Sequence, residues 1–197
     1  MHPNRLFHIA DRDAMAAIVR DVGFGTIIAP TPEGLRAAHV PVLIDSDRLR
    51  FHLSRANLVH DTLAAGADAL FVATGPSAYI SPDWYGLPDK VPTTNYVAVE
   101  LNGAVRPMDR AHLVALLDGL SLAGEGRLTS KRPWTRAKMT DGLFEDMLKA
   151  ITGFEMTIAE WRGTAKLGQD KPRPARVGVA DALAALGNME MAEAMRR

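Results

Sequence analysis

The chain has 197 residues, 47% of them hydrophobic, and its 23 basic and 23 acidic side chains cancel to a formal net charge of zero. That length and apolar share suit one globular domain spanning 1–197, and the neutral balance argues against a surface that grips nucleic acid by wholesale phosphate neutralisation. The absence of cysteine excludes disulfides, thiolate nucleophiles, iron–sulfur clusters and cysteine-ligated zinc. No stretch approaches the roughly 18 consecutive apolar residues of a membrane helix. The opening Met1-His2-Pro3-Asn4-Arg5 lacks the basic-then-apolar profile of a signal peptide. The expectation is a soluble cytoplasmic protein of bacterial type.

In chain order, Asp11 is placed to cap a helix in which Ala14, Met15, Ile18, Val19 and Val22 recur at helical spacing until Gly23. Short extended segments follow. Thr26-Ile27-Ile28-Ala29 is expected to stop at Pro30, with Pro32-Glu33-Gly34 as the turn. Leu35 to Ile44 forms the next strand. Asp45-Ser46-Asp47 turns it into Arg48-Leu49-Arg50-Phe51-His52-Leu53, whose apolar residues share one face. A short helix is expected from near Asn57 to Ala65. Asp68 to Thr74 reads as an apolar strand broken by Gly75-Pro76, with Ala78 to Ser81 beyond a kink. Pro82 to Pro92 reads as an ordered loop, and Asn95 to Met108 as a long strand with Gly103 at a bulge or bend. Leu113, Leu116, Leu117 and Leu120 predict a helix after Asp109, and a basic loop then leads to a helix capped near Thr140 or Asp141. Phe154, Met156 and Ile158 alternate as a last strand, and a C-terminal helical extension begins at about residue 175, with Gly187 as its break. About six strands joined by short turns cannot build a parallel doubly wound sheet. They predict a mainly β protein with flanking helices, folded as a small antiparallel barrel.

Several clusters carry chemistry. Ser54-Arg55-Ala56-Asn57 lies where a strand gives way to a helix, a place that plain capping by Ser54 or Asn57 explains first and that also suits a phosphate through free N–H groups and the Arg55 guanidinium. The run from Gly75 to Tyr85 gathers Tyr79, Ser81, Trp84 and Tyr85 in a proline-stiffened stretch that can stack on a planar ligand or fill an interface. Arg127, Lys131, Arg132, Arg136 and Lys138 form a basic stretch with no acid between Glu125 and Asp141, suited to an anionic partner or to solvent. The six histidines lack the spacing of a zinc helix, and neither a Walker loop nor a Gly-x-Gly-x-x-Gly fingerprint occurs. No nucleophile elbow is present either, so no catalytic residue is assigned.

Gly23-Phe24-Gly25-Thr26, Ala38-His39-Val40-Pro41, His52-Leu53-Ser54-Arg55-Ala56-Asn57, the run Gly75 to Tyr85 and Val91-Pro92-Thr93-Thr94-Asn95-Tyr96 occur in this order. Together they resemble the PaiB family of FMN-binding negative transcriptional regulators, from Pro3 to about Val179. The most specific part is Tyr-Ile-Ser-Pro-x-Trp-Tyr followed by Val-Pro-Thr-x-Asn-Tyr. The resemblance implies an FMN-binding split β-barrel like the pyridoxamine-phosphate oxidases, assembled as a homodimer with FMN at the subunit interface. It implies that Ser54, Arg55 and Asn57 hold the phosphate and ribityl chain. His39 and Pro41 would then lie near the isoalloxazine ring, His52 would be among the cofactor-binding residues, and Tyr79, Ser81, Trp84 and Tyr85 would border the flavin or the partner subunit. Lys166 and Gln169 are retained from a late family motif, whereas Gly168 and Asp170 replace its Ser and Asn, and Thr94 stands where the family commonly has Trp. The function implied is flavin-dependent regulation. The alternatives are an NAD(P)H-using flavin oxidoreductase and, further off, a haem-binding protein. A repressor that contacts DNA directly is disfavoured by zero net charge and by the lack of a helix-turn-helix.

Overall fold

The computed structural model describes residues 2–197. Its strands are β1 (His8–Ile9), β2 (Phe24–Thr31), β3 (Gly34–Asp45), β4 (Arg48–Ser54), β5 (Ala67–Ile80), β6 (Thr93–Pro107) and β7 (Ile151–Lys166). Helices α1 (Arg12–Val22), α2 (His60–Ala64), α3 (Arg110–Glu125), α4 (Leu143–Leu148), α5 (Arg173–Ala185) and α6 (Met189–Arg196) flank them. The strand order is β1-β7-β4-β3-β2-β5-β6, and β6 also pairs with β7, so the ladder from β7 to β6 closes on itself. The residue-resolved pairings of β1–β7, β2–β3, β2–β5, β3–β4 and β4–β7 are all antiparallel. This is the mainly β, antiparallel architecture expected from the short turns.

Contacts divide the chain into two compact units. The larger unit comprises 19–72 and 101–161. Strict alternation along β3 and β4 sends Val40, Val42, Leu49, Phe51 and Leu53 to the core, because successive side chains point to opposite faces of a strand. Phe51 and Phe154 stack there at 5.6 Å between ring centroids. The opposite face carries His39 and Pro41 on β3 and His52 and Ser54 on β4, and α3 packs against these two strands. Gly103 is glycine because β6 and β7 approach closely: a Cβ there would lie 2.0 Å from the Thr157 carbonyl oxygen.

The second unit comprises 1–18, 73–100 and 162–197. Its core joins Ile80 and Tyr85 to Val179, Leu183, Met191 and Met195 of α5 and α6. The two helices are separated by Gly187, which sits at φ +81°, a conformation that glycine adopts without steric cost.

Several boundaries differ from the sequence expectation. β2 runs through Pro30 to Thr31, because its pairing with β5 covers only Thr26 to Ile28. Pro30 therefore sits beyond that ladder, where its missing N–H is tolerated. β5 is one 14-residue strand through Gly75-Pro76 rather than two pieces. α2 begins at His60, since Asn57 uses its side chain on the Val59 N–H, 3.1 Å away, before the helix starts. α4 begins after Gly142, at φ +80°, and neither Thr140 nor Asp141 caps it. The two-residue β1 raises the strand count to seven.

Candidate functional site

The outward face of β3 and β4 supplies the floor of a cavity of about 570 Å³ within the larger unit, inside the range of small-molecule sites. Pro41 and His52 form that floor, Leu117 and Ser121 of α3 one wall, and Trp134, Met139, Phe144 and Met147 the others. Arg136 crosses this wall, paired to Asp118 at 3.1 Å and stacked over the Phe144 ring at 5.2 Å. A guanidinium so placed gains from the ring's negative face.

His52 is a polar group on the floor of this largely apolar cavity. Burial holds its pKa below the ordinary histidine value, because a low-dielectric environment disfavours the imidazolium. Its Nδ1 is buried and has no hydrogen-bond partner among the described residues. A buried ring nitrogen left without a hydrogen bond costs free energy.

Leu148 and Ile151 separate this cavity from a groove of about 290 Å³ that holds Arg55, Arg110 and Lys149. Arg110 pairs with Glu145, and Lys149 with Asp146. Arg55 has no carboxylate partner among the described residues, although its backbone N–H is tied to the Ala150 carbonyl at 2.9 Å. A pinned backbone with a free guanidinium suits a phosphate.

The other expected residues have definite places. His39 is exposed on β3 and bonds the Thr26 hydroxyl at 3.0 Å. The Ser54 hydroxyl accepts from the Ala56 N–H at 3.2 Å, and Asn57 is occupied as described above. Thus Pro41 and His52 share one cavity and Arg55 lines the adjoining groove, while Ser54 and Asn57 shape the turn that carries Arg55. Tyr79, Ser81, Trp84, Tyr85, Lys166 and Gln169 all belong to the other unit. Tyr79 is exposed there, and the Ser81 carbonyl accepts from the Trp84 N–H at 3.3 Å. Gln169 closes a turn by bonding the Leu167 N–H and the Ala165 carbonyl. Tyr85 and Lys166 line a cavity of that unit.

The sequence reading did not place Met139, Phe144 and Met147 in a site. Their signal was the density of large apolar side chains just after the basic stretch, which alone does not reveal what they face. The basic stretch itself is largely satisfied internally. Arg127 bonds the Arg20 and Asp21 carbonyls, Lys131 pairs with Glu125, and Lys138 bonds the Pro133 carbonyl.

FMN needs apolar surface for its tricyclic ring, a few polar groups at the ring's edge and a cation for its phosphate. The aromatic and methionine walls, the His52 imidazole on the cavity floor and the Arg55 guanidinium in the adjoining groove are groups of these three kinds within one unit.

Residues 1–160 match the family described as "Putative FMN-binding domain". Protease synthase and sporulation protein PAI 2 of Bacillus subtilis (strain 168) is 27% identical over 175 residues, covering 87% of this chain and 83% of that protein. A conserved hypothetical protein of Mycobacterium tuberculosis superposes with a TM-score of 0.63 at 12% identity, covering 87% of this chain and 94% of the other. The flavocytochrome Anf3 of Azotobacter vinelandii gives 0.59 at 18% identity, covering 85% and 73%. The FAD and haem binding protein of Mycobacterium smegmatis gives 0.57 at 19%, covering 82% and 74%. At these identities the solved structures establish the fold, and the family match establishes more: the chain belongs to the family of FMN-binding domains.

Proposed function

We propose that the chain works as a homodimeric, cytoplasmic FMN-binding regulator that holds its flavin on the outward face of β3 and β4. The observation that carries this is the juxtaposition of two features: a cavity floored by Pro41 and His52, with the His52 Nδ1 unpartnered, and an adjoining groove where Arg55 has no carboxylate. His52 and Pro41 face the ring, with His39 further along the same face of β3. Arg55 takes the phosphate, and Ser54 and Asn57 hold the turn that presents it. Tyr79, Ser81, Trp84, Tyr85, Lys166 and Gln169 border the cofactor or the partner subunit, as the family resemblance implies. Bound FMN supplies reversible redox chemistry, and the chain's own groups bind it, orient it and shield its ring from water. A regulatory role is supported by the relationship to the sporulation protein PAI 2. Its physical form is a population shift, in which FMN favours one arrangement of the dimer by its differential affinity for it.

The test is release and mass identification of the chromophore from purified full-length protein, followed by reconstitution of the stripped protein. FMN in the native sample, or one FMN per chain on reconstitution, is the expected result. A released haem, or failure to bind added FMN, overturns the assignment. Rapid bleaching of the flavin by NAD(P)H would replace regulation with oxidoreductase activity.

A further inference from the structure

We propose that Thr152, positioned by the His60–Asp61 pair, reads a hydroxyl of the bound ligand in the Arg55 groove, so that this groove selects a phosphorylated polyol chain over a phosphate on an apolar stem. The inference rests on the placement of the flavin phosphate at Arg55 and names a residue that would recognise the chain leading to it. All four residues belong to the unit built from 19–72 and 101–161, and Thr152 and Arg55 line the same groove.

Three side chains form a directed series. His60 is buried, its ring edge-to-face with that of Phe154 at 5.8 Å between centroids and its backbone N–H donated to the Asn57 carbonyl at 2.9 Å. Its Nδ1 lies 2.8 Å from the Asp61 carboxylate and its Nε2 2.9 Å from the Thr152 hydroxyl. A carboxylate only accepts, so Nδ1 carries the proton, and Nε2 of the neutral ring is then an acceptor. The Thr152 hydroxyl must donate to it. With its one proton spent inward, the Thr152 oxygen has only lone pairs to offer the groove.

The rest of the groove leaves that acceptor open. Register sets Thr152 opposite Leu53 of β4, two residues before Arg55, and no donor reaches the Thr152 oxygen among the described residues. The other charged groups are matched: Arg110 with Glu145, Lys149 with Asp146, and Asp109 with the His112 N–H at 2.9 Å. What remains is a donor, Arg55, and an acceptor, Thr152. An anion satisfies the first and meets lone pairs at the second, whereas a hydroxyl satisfies the second. A ligand with a hydroxyl a few bonds from its phosphate satisfies both. A phosphate on an apolar stem would leave the Thr152 oxygen desolvated without a donor, the kind of loss by which polar sites discriminate.

The experiment measures binding of lumiflavin, riboflavin and FMN to flavin-stripped full-length protein by fluorescence quenching, at about pH 8, where an imidazole side chain is ordinarily neutral. Lumiflavin carries the ring alone, riboflavin adds the hydroxylated chain, and FMN adds the phosphate. Thr152→Val should cut the preference for riboflavin over lumiflavin about fivefold, leaving lumiflavin affinity and the preference for FMN over riboflavin within about twofold. Thr152→Ser should keep the wild-type preferences. His60→Phe keeps an aromatic ring against Phe154 but removes Nε2, and should lower the riboflavin preference severalfold with lumiflavin affinity little changed. Thr152→Ala replaces the valine variant if that one does not fold. The proposal is overturned if the riboflavin preference survives loss of the Thr152 hydroxyl, if Thr152→Ser loses it as fully as Thr152→Val, or if all three flavins weaken equally. A riboflavin preference unmoved in His60→Phe overturns the positioning role of His60. Arg55→Ala separates these failures from failure of the flavin assignment. It should lower only the preference for FMN over riboflavin, and if it leaves that preference unchanged the phosphate placement falls, whatever Thr152→Val does.

Discussion

At the scale of single residues, two side chains carry the flavin assignment, and each makes a different prediction. Arg55 offers an unpaired guanidinium in a groove whose other cations are already matched to carboxylates. Arg55→Ala should weaken FMN by roughly 1.5–3 kcal/mol, the scale of a hydrogen bond to a charged group. Fluorescence quenching of added FMN measures this, and an unchanged affinity would move the phosphate elsewhere. His52 speaks to pH. Burial depresses its folded-state pKa below 6.5, so on acidification the unfolded chain takes up a proton before the folded chain does. Stability therefore rises with pH across that interval. The His52 contribution is full above the unfolded value and is lost as pH falls through the lowered one. Urea unfolding of the flavin-free protein between pH 7 and pH 5 should show this decline, and His52→Gln should flatten it. Identical slopes in both proteins would mean that His52 is not held neutral by the fold.

Among the elements, the segment joining α3 to α4 decides whether the cavity has a wall. Glu125 ends α3 and gathers that segment by accepting from the Lys131 ammonium and from the Trp134 N–H at 2.7 Å. The Lys131 bond is the larger cause holding its carboxyl below the usual range, and the Trp134 N–H adds to it. Glu125→Ala should free the Trp134 backbone and expose the basic stretch, raising trypsin cleavage after Lys131 and Arg136 severalfold with little change in far-ultraviolet circular dichroism. Equal cleavage of variant and wild type would show that Arg127 and Arg136 hold the segment unaided. The sequence disclosed the strands and their turns, because alternation in β3 and β4 and the Asp109 cap of α3 are local signals. It misplaced the strand ends at Pro30 and Gly75-Pro76, since proline and glycine punctuate only where the partner strand demands an N–H or a Cβ. For the proposed site, the motif named Pro41, His52 and Arg55, which the fold places along one cavity and its adjoining groove. Phe144 and Met147 stayed hidden because helical spacing does not reveal which strand face a helix covers. Asn95 lay within a quoted motif, but its burial depends on Met195, a hundred residues away in sequence.

For the whole molecule, the open issue is assembly, and the exposed side of β2 gives it a handle. Register places Phe24 opposite Pro41 and Thr26 opposite His39, so Phe24 shares the outward face with residues expected near the flavin. Phe24 remains 50% exposed, leaving aromatic surface on that face for a second copy to cover. Completing its burial would contribute about 1 kcal/mol, roughly half of what a fully buried Phe yields, and an aspartate there would add the cost of desolvating a charge. If that face joins two copies, Phe24→Asp should weaken the dimer at least tenfold, equivalent to about 1.4 kcal/mol. Sedimentation equilibrium of wild type and variant, each with and without FMN, measures it. Linkage adds a further constraint: a flavin held at a subunit interface must tighten the dimer by the same factor by which dimerisation tightens flavin binding. Wild-type protein that sediments as a monomer would end the interface assignment. A dimer insensitive to both FMN and Phe24→Asp would place the subunit contact on another face and leave the β3–β4 cavity as a site complete within one chain.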